Sequence, residues 1–201
     1  MILRRHSVKL FGAGEADVPL AEIVPVFHEW IRSGDFDELM IDVGDYKHVA
    51  GGPGIVLVGL DSDYSVTSAE GGLGLVYTRK RQDGQGASES LAASIGRLVY
   101  AAARLSDEPA LRGRIRFDPR RIEVTFLDRL TAANSEEGFQ FVVPLMNRVL
   151  GDILKVGPVS LAHAEADRRR PLRVLAATDS DLDLDRLIQL SGIDRREEVS
   201  T

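Results

Sequence analysis

The chain has no cysteine in its 201 residues. That excludes disulfides, thiolate nucleophiles and Cys-ligated zinc or iron–sulfur centres. It has no excess of positive charge either: 25 Lys and Arg stand against 31 Asp and Glu, for a formal net charge of -6. A nucleic-acid partner is therefore not expected, because phosphate recognition rests on a basic face. The two basic runs, 79–81 and 168–170, lack the interleaved aromatic residues on which bases stack. Long apolar runs are missing as well. Nothing approaches the roughly 18–20 apolar residues of a membrane span, so no membrane partner is expected. Arg4 and Arg5 are not followed by the apolar stretch of about 7–15 residues that a secretory signal requires. The expected location is cytoplasmic, in keeping with the missing cysteines.

What the chain does have is a globular composition, 44% hydrophobic and 28% charged. Its length suits one domain with a proper core. Leu20, Ile23, Val24, Phe27 and Ile31 recur with helical spacing. Pro25 is expected to kink that helix or to delay its true start to near residue 22, and Gly34 suits its end. Leu91, Ile95, Leu98, Ala102 and Leu105 mark a second helix behind Ser88. A third runs over about 135–154, interrupted by Pro144. Strands are expected at 7–11, 38–43 and 55–59, and in hairpins made from 64–66 with 73–77 and from 159–166 with 172–176. A further hairpin is read over 114–127, turning at Asp118 and Pro119. Strict strand–helix alternation is absent. The fold class expected is α+β, a mixed or mainly antiparallel sheet with about three helices packed on it, in a single domain over 1–178. Residues 179–201 are read as an acidic, partly disordered C-terminal appendage, with a short helix over Leu182–Leu190.

Several motifs fail on inspection. Gly12, Ala13 and Gly14 follow a strand as in a dinucleotide-binding turn, but Glu15 and Asp17 would repel phosphates. Asp61-x-Asp63-x-Ser65 opens like a calcium loop, yet Val66 and Gly72 occupy the positions that need glycine and glutamate. The acidic 179–185 run fails in the same way, and its carboxylates suit a helix N-terminus. His163 and Glu165 would share one strand face as a base and its orienter, with no nucleophile supplied nearby.

The densest chemistry lies in 42–54, with Asp42, Asp45, Tyr46 and His48 followed by Gly51, Gly52, Pro53 and Gly54. Glycines there let the backbone adopt φ > 0 or come close to a ligand, and successive amides can hold an anion. The expected function is a non-catalytic accessory domain that binds a small anionic ligand or a protein partner. Its ligand-binding residues would be Asp42, Asp45, Tyr46, His48, Gly52 and Gly54. The alternative is a metal-dependent, hydrolase-like enzyme with Asp42, Asp45 and His48 around an ion, since carboxylates plus imidazole suit Mn²⁺, Fe²⁺ or Zn²⁺. That spacing matches no known ligand geometry, and a strand-end turn capped by the aspartates is the preferred reading of it. No catalytic residue and no cofactor is assigned. A homodimer is the expected assembly, being the commonest.

Overall fold

Apolar alternation through Val8 and Leu10 produces β1 (His6–Gly12), which lies inside the sheet. In the computed structural model, residues 5–14, 18–34, 36–68, 72–81, 84–111, 113–165 and 167–192 are described. Asp17, and residues 193–201 of the expected appendage, lie outside them. After β1 come α1 (Ile23–Ser33), β2 (Met40–Tyr46), β3 (Gly54–Gly59), β4 (Ser62–Thr67) and β5 (Gly74–Arg79). The rest of the chain forms α2 (Ala87–Asp107), β6 (Phe117–Phe126), α3 (Glu136–Asn147), β7 (Ser160–His163), β8 (Leu172–Ala177) and α4 (Leu184–Ser191). The strands form one sheet in the order β2-β3-β4-β5-β1-β6-β8-β7, and every pairing is antiparallel. The fold is thus α+β and a single domain, with four helices rather than three.

Register decides which side chains share a face. Leu57, Tyr64, Tyr77, Val8, Val124 and Val174 align across the strands, and all are fully buried. The helices pack on that face. α1 lays Ile23, Val26, Phe27 and Trp30 against it. α2, the longest helix, crosses the centre, where Ser94 meets buried His6 at 2.8 Å. The fourth helix lies within the segment read as an appendage. Leu187 and Ile188 of α4 join the common core, and Asp183 caps the helix through the Arg186 backbone N–H at 2.7 Å.

The structure departs from the sequence reading at two prolines. The expected hairpin over 114–127 is instead one ten-residue strand, β6. The Asp118–Pro119 pair falls beside a register shift at Leu10/Phe11 of β1, so an irregularity in the ladder accommodates the proline where a turn was read. The third helix, read as interrupted by Pro144, carries that proline inside it and stays α-helical to Asn147 before continuing as a wider π-helical turn over Arg148–Ile153. That turn closes with Val156 N–H on the Leu150 carbonyl at 3.0 Å, across Lys155 at φ 49°. Lys155 is the one non-glycine residue with positive φ among those described, a conformation that a Cβ disfavours by roughly 1–2 kcal/mol. Lys155→Gly is therefore expected to raise stability by about 0.5–1 kcal/mol after glycine's own entropy is deducted. Urea denaturation measures it, and a lower midpoint would contradict this reading.

Candidate functional site

The β2–β3 hairpin carries all six residues picked out from the sequence. Gly54 opens β3 at φ 77°, and a Cβ there would lie 2.1 Å from the Val66 carbonyl oxygen. Its freedom therefore serves a close approach of β3 to β4 rather than an approach to a ligand. Gly52 N–H donates to the Val49 carbonyl at 2.9 Å, and Val49 N–H to that of Tyr46 at 3.0 Å. These bonds tighten the loop into successive turns. Tyr46, Lys47, Gly51, Gly52, Gly54 and Thr67 line an open cleft of about 240 Å³. Tyr46, Gly52 and Gly54 are thus brought together.

Asp42, Asp45 and His48 do not line that cleft. Asp45 aligns with Ile55 and so shares the helix-bearing face, while Asp42 aligns with Val58 on the opposite face. Asp45 accepts from the Lys47 backbone N–H at 3.1 Å and pairs with Lys47 Nζ at 2.6 Å. The hydrogen bonds from Lys47 hold its carboxyl below the usual carboxylate range. Asp42 accepts from its neighbour Val43 N–H at 2.8 Å. His48 is exposed on the loop. Among the described residues, no group of three or more His, Asp or Glu is arranged to hold a metal ion.

The hairpin also forms one end of the sheet, since β2 has β3 on one side only. A register irregularity between Met40 and Asp42 places an extra residue, Ile41, in the strand. Five of the seven exposed large apolar side chains among the described residues lie along this hairpin: Leu39 and Leu60 at the start of β2, Ile41 within it, and Tyr46 and Val49 at its far end. Leu60 N–H donates to the Leu39 carbonyl at 2.9 Å, which holds those two ends together.

Sequence reading missed the strongest polar constellation. Glu38, in the α1–β2 connection, carries a side chain only 8% exposed. Its Oε2 accepts from Ser62 Oγ at 2.7 Å and Tyr64 Oη at 3.3 Å; its Oε1 accepts from Tyr77 Oη at 3.0 Å and Arg79 Nη1 at 3.1 Å. Arg97, from α2, places Nε 3.6 Å from Oε2 and donates through Nη2 to Asp37 at 3.2 Å. Burial first, and the Glu38 charge second, push the Tyr64 phenol well above its ordinary value and that of Tyr77 up to about 12. No local motif signals this cluster, because its members come from β4, β5, α2 and a connecting loop.

The pair expected from His163 and Glu165 separates. His163 Nε2 lies 2.6 Å from Asn134 Oδ1, with its ring stacked on Phe139 at 5.4 Å, while Glu165 pairs with Arg170 and Arg173. In comparisons with known proteins, the chain matches no family and no curated protein sequence.

Two outcomes follow from the Glu38 cluster. Glu38→Ala leaves Arg79, itself 11% exposed, without its carboxylate; the expected loss is about 3–5 kcal/mol, read by urea denaturation. A loss below about 1 kcal/mol, the level of a surface pair, would contradict the arrangement. The raised phenols give a pH dependence of known sign. The fold favours their neutral forms, so this contribution is complete below a tyrosine's ordinary value near 10 and is lost as pH rises through about 12 for Tyr77. Stability should fall less steeply over that alkaline range in Tyr77→Phe than in the parent protein. Equal slopes would show that Tyr77 does not titrate this way.

Proposed function

We propose that this protein is a non-catalytic binding domain that receives an extended segment of a partner protein along β2 and the β2–β3 hairpin. One observation carries the reading: the exposed apolar side chains Leu39, Ile41, Tyr46, Val49 and Leu60 are spread along the sheet's long open edge. Side chains of this size are normally kept off an edge strand, where unpaired backbone groups invite another strand. An added strand takes its affinity from those backbone groups and its specificity from side-chain contacts on either side. The opposite edge, β7, has only four residues and is less suited to this role.

Charge selects the partner. Asp42 is exposed and accepts from its own neighbour's amide, while Lys47 is already engaged by Asp45. Two copies joined through this edge would bring together two aspartates from each. A segment bearing Lys or Arg opposite Asp42 is therefore favoured over a homodimer here. The alternative kept from the sequence, a metal-dependent enzyme using Asp42, Asp45 and His48, would require the hairpin to rearrange, because the strand directs the two aspartates to opposite faces.

The test is selection of peptides from a random displayed library on the intact protein. Amide hydrogen exchange is then followed on the complex. Selected peptides should be basic and apolar, should slow exchange in residues 40–46, and should bind at least about tenfold more weakly to Ile41→Lys and Asp42→Lys. Peptides that ignore both substitutions, or protection that appears elsewhere, would overturn the proposal.

A further inference from the structure

We propose that two copies of this chain pack face to face through the side of the sheet that carries no helix, about a twofold axis running along β5. All four helices lie on the other side. α1 packs on β2 and β3, α2 meets His6, α3 stacks Phe139 on His163, and α4 packs on α2. An antiparallel sheet face turned to water carries polar side chains. Here Ser7, Val58, Val76, Thr78, Thr125 and Leu175 point outward instead, short or apolar and only half-buried. Strands of about six residues at ~3.3 Å, seven of them ~4.8 Å apart, make a face of roughly 650 Å². Two such faces bury about 1,300 Å², within the range of specific interfaces.

Charge selects a second copy as the occupant. Asp42 and Asp63 stand at the β2–β4 end of this face, Arg121 and Arg173 at the β6–β8 end, and Lys9 aligns with Glu123 of opposite sign. One register row carries the fit. Asp42, Val58, Asp63, Thr78, Ser7, Thr125 and Arg173 align without a break from β2 to β8, with Thr78 in the middle. A copy turned about an axis along β5 presents that row reversed. Asp42 then faces Arg173 of the second copy, Val58 faces Thr125, Asp63 faces Ser7, and Thr78 meets its own counterpart. The Asp42–Arg173 pair forms twice, as an isologous contact requires. An axis across the strands would instead set aspartate on aspartate. Asp42 is exposed. Arg173, 25% exposed in its side chain, shares Glu165 with Arg170, so two guanidinium groups stand against one carboxylate there. Asp63 is already bound by Lys80 at 2.7 Å and adds little. An axis along the strands also carries the sheet's twist onto itself, so the faces stay parallel about 10 Å apart across their width.

The backbone groups of β2 stay free at the side of such a dimer, so this proposal and the edge proposal stand or fall separately. Sedimentation velocity on the intact protein at about 100 µM should give twice the 22.0 kDa of one chain. Thr78→Arg sets two guanidinium groups against each other on the axis, while Asp63 beside it accommodates the charge within one copy. That variant should be monomeric with an unchanged thermal unfolding midpoint. Arg173→Asp should weaken association at least about tenfold, and adding Asp42→Arg to it should restore the parent affinity. The charge exchange decides the matter if Thr78→Arg folds poorly. A parent protein that is monomeric at this concentration overturns the proposal and leaves the face to a different protein. A dimer indifferent to both Thr78→Arg and Arg173→Asp overturns it too, because association then runs through another surface. So does a double variant that associates no more tightly than Arg173→Asp alone.

Discussion

An ionised carboxylate withdrawn from water must be compensated on every side, and Glu38 organises one end of this molecule around that demand. Its two oxygens take donors from β4 and β5, with an arginine of α2 alongside. Those donors stand together only because Ser62 faces Arg79 and Tyr64 faces Tyr77 in the sheet. A one-residue slip of β4 against β5 would turn the hydroxyls to the other face and leave the charge alone. The network thus enforces register as well as joining the α1–β2 connection to the sheet. Such specificity is the best-attested use of a buried charge, which rarely adds stability over a well-packed apolar substitute.

Helices cover one face of the sheet, and the other face is held by different means. Phe11 lies there between two cations, Lys9 Nζ and the Arg121 guanidinium, each 4.8 Å from its ring centroid. Cation–π contact lets a large ring remain on a polar face. β2 has no such protection at its outer edge beyond the irregularity at Ile41 and the charge of its aspartates. Those devices discourage pairing with an identical strand without forbidding a strand of opposite charge. The same residues that deter aggregation therefore shape partner choice.

Local patterns were legible in the sequence, and patterns spread along the chain were not. The stripe of Ile23, Phe27 and their neighbours gave α1, and Pro25 set its start one residue from the observed Ile23. Alternation through Ile122, Val124 and Phe126 gave the inward face of β6, but the Asp118–Pro119 signal suggested a turn where the strand continues. A proline beside a ladder irregularity and a proline in a turn look alike in a single sequence. Gly51 and Gly52 lie in the β2–β3 loop, while Gly54 opens β3 and its purpose depends on Val66, a strand away. Asp42 and Asp45 looked like neighbours because register with Val58 and Ile55 cannot be read before the strands are paired. Glu38 stood inside an expected strand with nothing to distinguish it. Its partners lie 24 to 41 residues further on. His28 follows Phe27 directly, yet the helix turns it to solvent.

The buried carboxylate also links the cavity between α1 and β2 to the sheet's open edge. Leu39 and Met40 follow Glu38 directly, so the point where the charge is fixed determines where β2 begins. From there the chain passes the wall of the α1–β2 cavity, reaches the irregularity at Ile41 and runs out along the free edge. Both the cavity wall and the edge inherit their position from one side chain held by β4, β5 and α2. A change at Glu38 must disturb the two together. Asp37 is tied to the same cluster through Arg97, whereas Val49 belongs only to the hairpin, so a change at Val49 alters the edge and leaves the cavity wall in place.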